Sequence, residues 1–493
     1  MADATQWGRK ELTLLGGSLL TGLLFDYLFY GKQLGVSYPL FVLALYGLFF
    51  WQLRQSGKLR LTFEWLLTVP IVLLSLTFFL YSNGLFQFLN FLLVPFLFVV
   101  QSLLLSKRNK RDWYKIGFVA DVFELVFYYT IKHMRLPFSI LKGWIKKNTD
   151  TQKYGVAMKV LIGLGISLPL LLIVLSLLSE ADGVFGHFLS EIPRRLFDLE
   201  VMEVSFRGFL IAFVSVGTFA YLWSLLVPRE ESVEIPNPVP QEEKLRWDGI
   251  ILVTILVVIN LVYMAFTIIQ ISYLFSGAQT ILPDGMTYAE YARKGFDELV
   301  VVTIINFLIL LTFMHLTSKE QPRVYRMVQI LLSLLTVCTG FMLFSAYFRL
   351  SLYEEAYGYT VSRLLAHAFM LFLFVLFGIA LVKIWREGIS LIKYYAITGI
   401  AAYLLLNYIN IDVMIAKNNI SRYQESGRID ADYLTRLSYD AVPYLVPLLE
   451  DQGVAESIKY GLDEIREEMD DDESWQSFNL SEYRAKQLLE ANR

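Results

Sequence analysis

Residues 62–105 read TFEWLLTVPIVLLSLTFFLYSNGLFQFLNFLLVPFLFVVQSLLL, with Glu64 the only charged residue. The apolar runs at 62–82 and 85–105 are each long enough to cross a hydrocarbon core of about 30 Å at ~1.5 Å per helical residue. Only Ser82, Asn83 and Gly84 divide them. That tripeptide is a turn, so the two runs form an antiparallel hairpin.

The same pattern extends along the whole chain. Of 493 residues, 56% are hydrophobic, 15% aromatic and only 18% charged, against about 25% charged in an ordinary soluble domain. The charges crowd between apolar runs, and the formal net charge of -3 hides a strong sidedness. Further spans are expected at 12–30, 36–53, 156–178, 206–227, 249–275, 297–316, 326–346, 365–383 and 390–408. The reading is an all-α, polytopic transmembrane helical bundle of about eleven spans with a small extracytoplasmic helical domain at its C-terminal end. It divides into a four-helix membrane segment (1–105), a basic amphipathic segment (106–155), a seven-helix membrane segment (156–408) and an acidic tail (409–493). The first run follows Arg9 and Lys10 without a small-residue cleavage site, which fits a retained helix rather than a signal peptide. The single cysteine, Cys338, excludes an intramolecular disulfide.

Lysine and arginine orient the bundle. Lys10, Arg54, Lys58, Lys107, Arg108, Lys110, Arg111, Lys319, Arg323, Lys383 and Arg386 fall on alternate loops, and the other loops carry few cations. The positive-inside rule therefore places the amino terminus in the cytoplasm and the tail outside. The loop with Glu230, Glu231, Pro236, Pro238 and Pro240 has mixed charge and fits least well. From Lys107 to Lys153 an aromatic–aliphatic pattern (Phe118, Val122, Phe123, Phe127, Phe138) runs among cations. Two readings stand: a helix on the anionic inner leaflet, with Lys107, Arg108, Lys110, Arg111, Lys142, Lys146 and Lys147 touching lipid, or a helix packed under the bundle. The cations serve orientation, so no nucleic-acid role is read from them. In the tail, Asp430 and Asp432 are expected to cap a helix through Leu445 that Pro443 interrupts. A second helix follows at about 454–469, then a solvated loop at 470–473, and a last helix begins at Ser481.

Three polar stretches stand out. In PDGMTYAEYARKGFDE (283–298), Thr287 and Glu290 form a capping box, and Tyr291, Arg293 and Glu298 follow. This is either a polar outer site or simply a well-capped helix entering the bilayer. In FRLSLYEEAYGYTVSR (348–363), Arg349, Tyr353 and Tyr357 share a face beside Glu354. Gly358 is placed to close the helix and Thr360 to cap the next. Interfacial aromatics are ordinary anchors, but Arg349 and Arg363 run against the charge bias and need partners, for which Glu290 and Glu298 are candidates. At the last membrane exit, Asn410 and Asp412 are either helix caps or site residues. Asp26 lies near the outer end of the first span, where a carboxylate is costly unless paired or wet. Asn90, Asn260, Gln270, Asn306 and His315 read as interhelical hydrogen bonders. His315 and His367 make a weak metal case, so no metal and no cofactor are expected. If they converge, Asp26, Glu290, Tyr291, Arg293, Glu298, Arg349, Tyr353, Glu354, Tyr357, Arg363, Asn410 and Asp412 form one extracytoplasmic polar cluster.

The pieces YAEYARKGFDEL (288–299), RLSLYEEAYGYTVSR (349–363), IDVMIAKNNISRY (411–423) and YLTRLSYDAVPYL (433–445) resemble an uncharacterised bacterial family of multi-pass membrane proteins known as a domain of unknown function. That family commonly has Asn-Pro-Asp at the last exit; here Ile411 replaces the proline. The resemblance implies a bacterial plasma-membrane protein and supplies no reaction. Three functions are weighed. The first is a non-enzymatic sensing or regulatory component, with a membrane or extracytoplasmic protein as partner. The second is a transporter, which would show polar groups at mid-bilayer and repeated halves. The third is an enzyme on lipid-linked substrates, disfavoured by a first outer loop of only Gly31 to Val36. No Gly-rich phosphate loop supports an ATPase.

Overall fold

The computed structural model describes residues 9–55, 62–115, 117–148, 199–227, 248–275, 296–317, 321–386, 388–469 and 474–492, with single positions at 163, 167, 171, 174 and 178. The span expected at 156–178 lies outside the described residues apart from those positions. So do the loop at 230–240 and the acidic run at 470–473.

Every regular element among the described residues is helical. The bundle comprises α1 (Arg9–Phe29), α2 (Ser37–Gln55), α3 (Thr68–Leu80, entered through a 3-10 turn at Phe63–Leu67) and α4 (Gly84–Leu105). Then come α5 (Phe118–Phe123), α6 (Thr130–His133), α7 (Leu136–Asn148), α8 (Leu199–Leu226), α9 (Gly249–Phe275) and α10 (Phe296–Leu316). The remainder is α11 (Pro322–Tyr357), α12 (Val361–Trp385), α13 (Leu391–Tyr408) and the tail helices α14 (Ile411–Ser426), α15 (Ala431–Thr435), α16 (Val442–Leu445), α17 (Ala455–Glu468) and α18 (Leu480–Ala491). Among the described residues seven helices are long and apolar enough to cross a membrane: α1, α3 with its leading turn, α4, α8, α9, α11 and α12. The pair α13–α14, bent by 55°, makes an eighth if it counts as one span. Helices also occupy the expected second and eighth spans, as α2 and α10.

The α3–α4 hairpin forms as its turn demands. The Asn83 side chain accepts the Phe86 amide and so caps α4, satisfying one of the donors a helix start leaves open. α3 packs on α2 and α4, and α1 on α2 and α8, while α11 gathers α9, α10 and α12. α13 joins the two groups, touching α3 on one side and α12 on the other. Leu20, Phe88, Phe209, Leu261 and Leu371 all stand more than 60% exposed. A belt of large apolar side chains on every side is what hydrocarbon solvent permits and water penalises.

The helix ends sort by charge. At one end, Lys10 donates to Gln55 O, Arg108 to Ser224 O, and Lys393 lies over the Phe63 ring. We call this the basic end. The opposite end carries the tail, whose core (Ile415, Leu434, Val442, Leu445, Ile458, Leu462, Leu489) is continuous with Phe86 of α4 and Leu364 of α12. The tail therefore shares its hydrophobic core with the bundle instead of standing apart. Asp430 caps α15 by accepting the Tyr433 amide. The helix expected to run on to Leu445 is instead α15, a 3-10 turn at Tyr439–Ala441, and α16, whose first turn holds Pro443. Proline lacks an N–H, which costs nothing in a first turn, where that donor has no partner within the helix anyway. Asn479 caps α18 with bonds from the Ser481 and Glu482 amides.

Helices α5 to α7 settle part of the choice left open for the basic segment. Phe118, Val122, Leu125 and Ile140 are buried with Leu103–Leu105 of α4 and Phe219, Leu222 and Leu225 of α8. One face thus packs under the bundle. A second apolar face, with Phe123, Phe127, Ile131 and Phe138, stays exposed.

Candidate functional site

The hairpin turn and the tail meet through two buried carboxylates. α13 ends at Tyr408, and Asn410 then adopts the left-handed conformation (φ 54°, ψ 79°), which asparagine tolerates better than most residues. Its side-chain oxygen accepts the Val413 amide, so Asn410 both turns the chain and starts α14. Asp412 follows in the first turn, 2% exposed. It accepts from Asn83 Nδ2 at 2.7 Å and the Ser438 amide at 3.3 Å. Asp440, 8% exposed, accepts from the Ser82 amide (2.8 Å), Ser82 Oγ (2.9 Å), Ser438 Oγ (3.2 Å) and Asn410 Nδ2 (2.9 Å). Each of these donors is a neutral group. Charge-assisted bonds of this kind are the stronger class, and a buried carboxylate needs them because its desolvation is otherwise uncompensated. The Asp440 charge adds to burial in raising the Tyr81 phenol above its ordinary value.

A second junction fastens the tail to the other helix group. Asn419 accepts from the Tyr359 amide (2.9 Å) and donates to Tyr359 O (2.8 Å). Gly358 closes α11 at φ +87° and ψ 168°, and a Cβ there would meet Asn419 Oδ1 at 2.6 Å. Tyr433 Oη accepts the Val361 amide at the start of α12. Burial raises the Tyr433 phenol, the bond from the Val361 amide works against that shift, and Asp412 adds to it while Arg363 opposes it. Thr360 sits at the cap position of α12 but makes no side-chain capping bond.

Other expected site residues have local partners among the described residues. Asp26 is held by Arg207 of α8, through Nη2 at 2.7 Å and Nε at 3.2 Å to both oxygens. Arg349 and Ser345 both donate to Gln270 Oε1. Arg363 donates to Gly358 O and stacks over the Tyr353 ring at 4.1 Å. Among the described residues these two arginines thus meet an amide, a backbone carbonyl and an aromatic face. Glu354 is buried against His367 Nδ1 at 3.1 Å. Tyr357 is half exposed and packs on Tyr353. Glu290, Tyr291 and Arg293 lie outside the described residues, as does the side chain of Glu298. Of the twelve, Asn410 and Asp412 therefore belong to the carboxylate junction. Glu354, Arg363 and Tyr353 lie around the end of α11, and Asp26 and Arg349 have partners of their own.

At the basic end, Arg108 donates to Ser224 O, Lys110 pairs with Glu124 at 3.1 Å, and Arg111 pairs with the fully buried Asp121 at 3.4 Å. Asp121 also accepts the Lys110 and Arg111 amides, which folds the 107–111 loop onto α5. Lys107 takes a left-handed conformation (φ 54°), and Lys142 is exposed. The side chains of Lys146 and Lys147 lie outside the described residues.

From the carboxylate junction a polar column runs inward. Asn90 Nδ2 donates to Thr77 Oγ1 (2.9 Å) and Asn407 Oδ1 (2.7 Å), and Tyr403 donates to Asn90 Oδ1 (2.7 Å). Between column and junction lies a cavity of about 10 Å³ lined by Thr77, Asn83, Gln87, Asn407 and Asn410, roughly the size of one water. Among the described residues no group of three or more metal-ligating side chains occurs.

Arg207, Asp440, Asn419 and Gln270 complete these arrangements without having been marked as site residues in the sequence. Asp440 and Asn419 sit inside two of the quoted motifs, YLTRLSYDAVPYL and IDVMIAKNNISRY. That was the available signal. Nothing local singles out Arg207 as the partner of a residue 181 positions earlier.

These features define an all-helical, multi-pass type of membrane protein, with its C-terminal helices folded onto one end of the bundle. The chain belongs to the family described as Domain of unknown function (DUF4153), which it matches over residues 68–448, more than half its length. That match opens in α3 and closes just past Asp440, enclosing both partners of every bond in the two tail junctions described above. No curated protein and no solved structure matches.

Proposed function

We propose that this is a non-enzymatic sensing or regulatory component of a bacterial plasma membrane, with the amino terminus in the cytoplasm and the tail outside. One observation carries the reading. The tail engages the hairpin of one helix group through Asp412 and Asp440, and the α11–α12 turn of the other group through Asn419 and Tyr433. A module bonded to two groups biases their relative position whenever its own docking changes, which is the physical requirement for a switch. The tail surface would take a ligand or an extracytoplasmic protein partner, and the exposed face of α5 to α7 would contact the inner leaflet and pass the change on.

Hydrogen exchange on the full chain in nanodiscs tests this. Asp440→Asn is expected to speed exchange in α14–α18 and, if the ends are coupled, also in α5–α7. Faster exchange confined to the tail would remove the regulatory reading. Sidedness has its own test, in a Cys338→Ser background with Tyr460→Cys, since Tyr460 is 75% exposed on α17. An impermeant thiol reagent is expected to label this variant in intact cells, and labelling only after lysis would invert the topology.

Transport is the second reading, and the column of Thr77, Asn90, Tyr403 and Asn407 is the observation in its favour. The bonds there are mutually satisfied around a void of one water, which weighs toward a joint and against a path. Uptake of a cation or small solute by proteoliposomes, abolished by Asn90→Leu, would reverse the ranking.

A further inference from the structure

An apolar cleft of about 450 Å³ lies among α1, α2, α4 and α8. Phe25, Phe41, Leu45, Val94, Phe98 and Gly217 are typical of its lining. Tyr221 and Ser102 hydrogen bond to each other across its basic-end limit. On α4 the lining runs from Phe91 to Val99, about 12 Å at ~1.5 Å per residue and close to the depth of one leaflet. Phe29 and Leu34 line it toward the tail end. Phe91 and Pro95 are also exposed, so the cleft is continuous with the outward surface of α4.

We infer that this cleft is a binding site for one acyl chain of a phospholipid from the tail-side leaflet, an inference independent of the regulatory reading above. Its setting within spanning helices makes hydrocarbon the surrounding solvent. Its walls offer a polar ligand almost nothing, because the Tyr221 hydroxyl is already bonded to Ser102. Depth and lining select the occupant. An acyl chain needs an apolar channel about one leaflet deep that opens toward the bilayer, and the run from Phe91 to Val99 with the exposed Phe91 and Pro95 supplies it. Gly217 sharpens the case: a Cβ built there meets nothing within 4 Å, so the residue opens directly onto the space.

The full chain, reconstituted in phosphatidylcholine–phosphatidylglycerol nanodiscs with a trace of phospholipid bearing a diazirine on its acyl chain, is irradiated and mapped by mass spectrometry. Label is expected on Phe98, Val94 and Leu45 as well as on the bilayer-facing Leu261 and Leu371. Gly217→Trp is expected to lose the cleft label and keep the surface label. Label restricted to Leu261, Leu371 and similar surface positions in the unsubstituted protein overturns the proposal, and so does cleft label that persists in Gly217→Trp. If that variant does not fold, Leu45→Trp fills the same space, and the map of the unsubstituted protein decides by itself.

Discussion

Gly358 shows how closely single residues are fixed at the tail junction. Its φ of +87° with ψ of 168° belongs to a region that residues with a Cβ avoid, at a cost of order 1–3 kcal/mol. The Cβ would also press on Asn419 Oδ1. Gly358→Ala is therefore expected to lower the thermal stability of the tail by at least that amount, read as earlier proteolysis of α14–α18. Asp440→Ala strips the acceptor from the Ser82 amide and Asn410 Nδ2, and stranded buried donors cost about 1–3 kcal/mol. Asp440→Asn, which keeps the shape, should lose less, and equal losses in thermal unfolding would argue that the carboxylate charge is immaterial. Asp26 was visible in the sequence as a carboxylate in need of a partner, but its partner was not. Pairing across 181 residues is a property of how α1 and α8 pack. Arg207→Leu should destabilise the α1–α8 contact, and adding Asp26→Leu should restore much of the loss, because the double variant leaves no charge stranded. A double variant as unstable as the single one would show that packing, not the ion pair, carries this contact.

At the level of elements, the hairpin was the most legible part of the chain, because length, apolarity and Ser82-Asn83-Gly84 all demand the same geometry. Ten of the expected spans coincide with helices among the described residues, whereas seven of those helices are long and apolar enough to cross a membrane and the α13–α14 pair makes an eighth. Periodicity could not decide between the two readings of α5–α7, since the segment has two apolar faces and each reading describes one of them. The α14–α18 region was read as a small appendage. Sequence pattern marks which residues are apolar but not that Phe86 and Leu364 would join the same core. Between α3, α4 and α13, Asn90→Leu removes three interhelical bonds. Such bonds average about 0.6 kcal/mol each in membranes, so a loss near 2 kcal/mol is expected in a reversible detergent-unfolding titration.

For the molecule as a whole, the long-range pairs reveal an order of assembly. Ser82 awaits Asp440 358 residues later, Asn83 awaits Asp412 329 residues later, and Phe78 O awaits Asn479 401 residues later. Synthesis delivers the early helices first, so the seat at the hairpin turn stands vacant until Asp412, Asp440 and Asn479 have been made. Closing so distant a contact follows, and does not guide, the packing of the helices. A chain halted before residue 430 should insert its helices yet leave Asn83 open to water, detectable as labelling of Asn83→Cys in a Cys338→Ser background that the finished protein resists. The tail would then act as a latch on the hairpin turn, distinguishing a copy translated past Asp440 from one cut short before it.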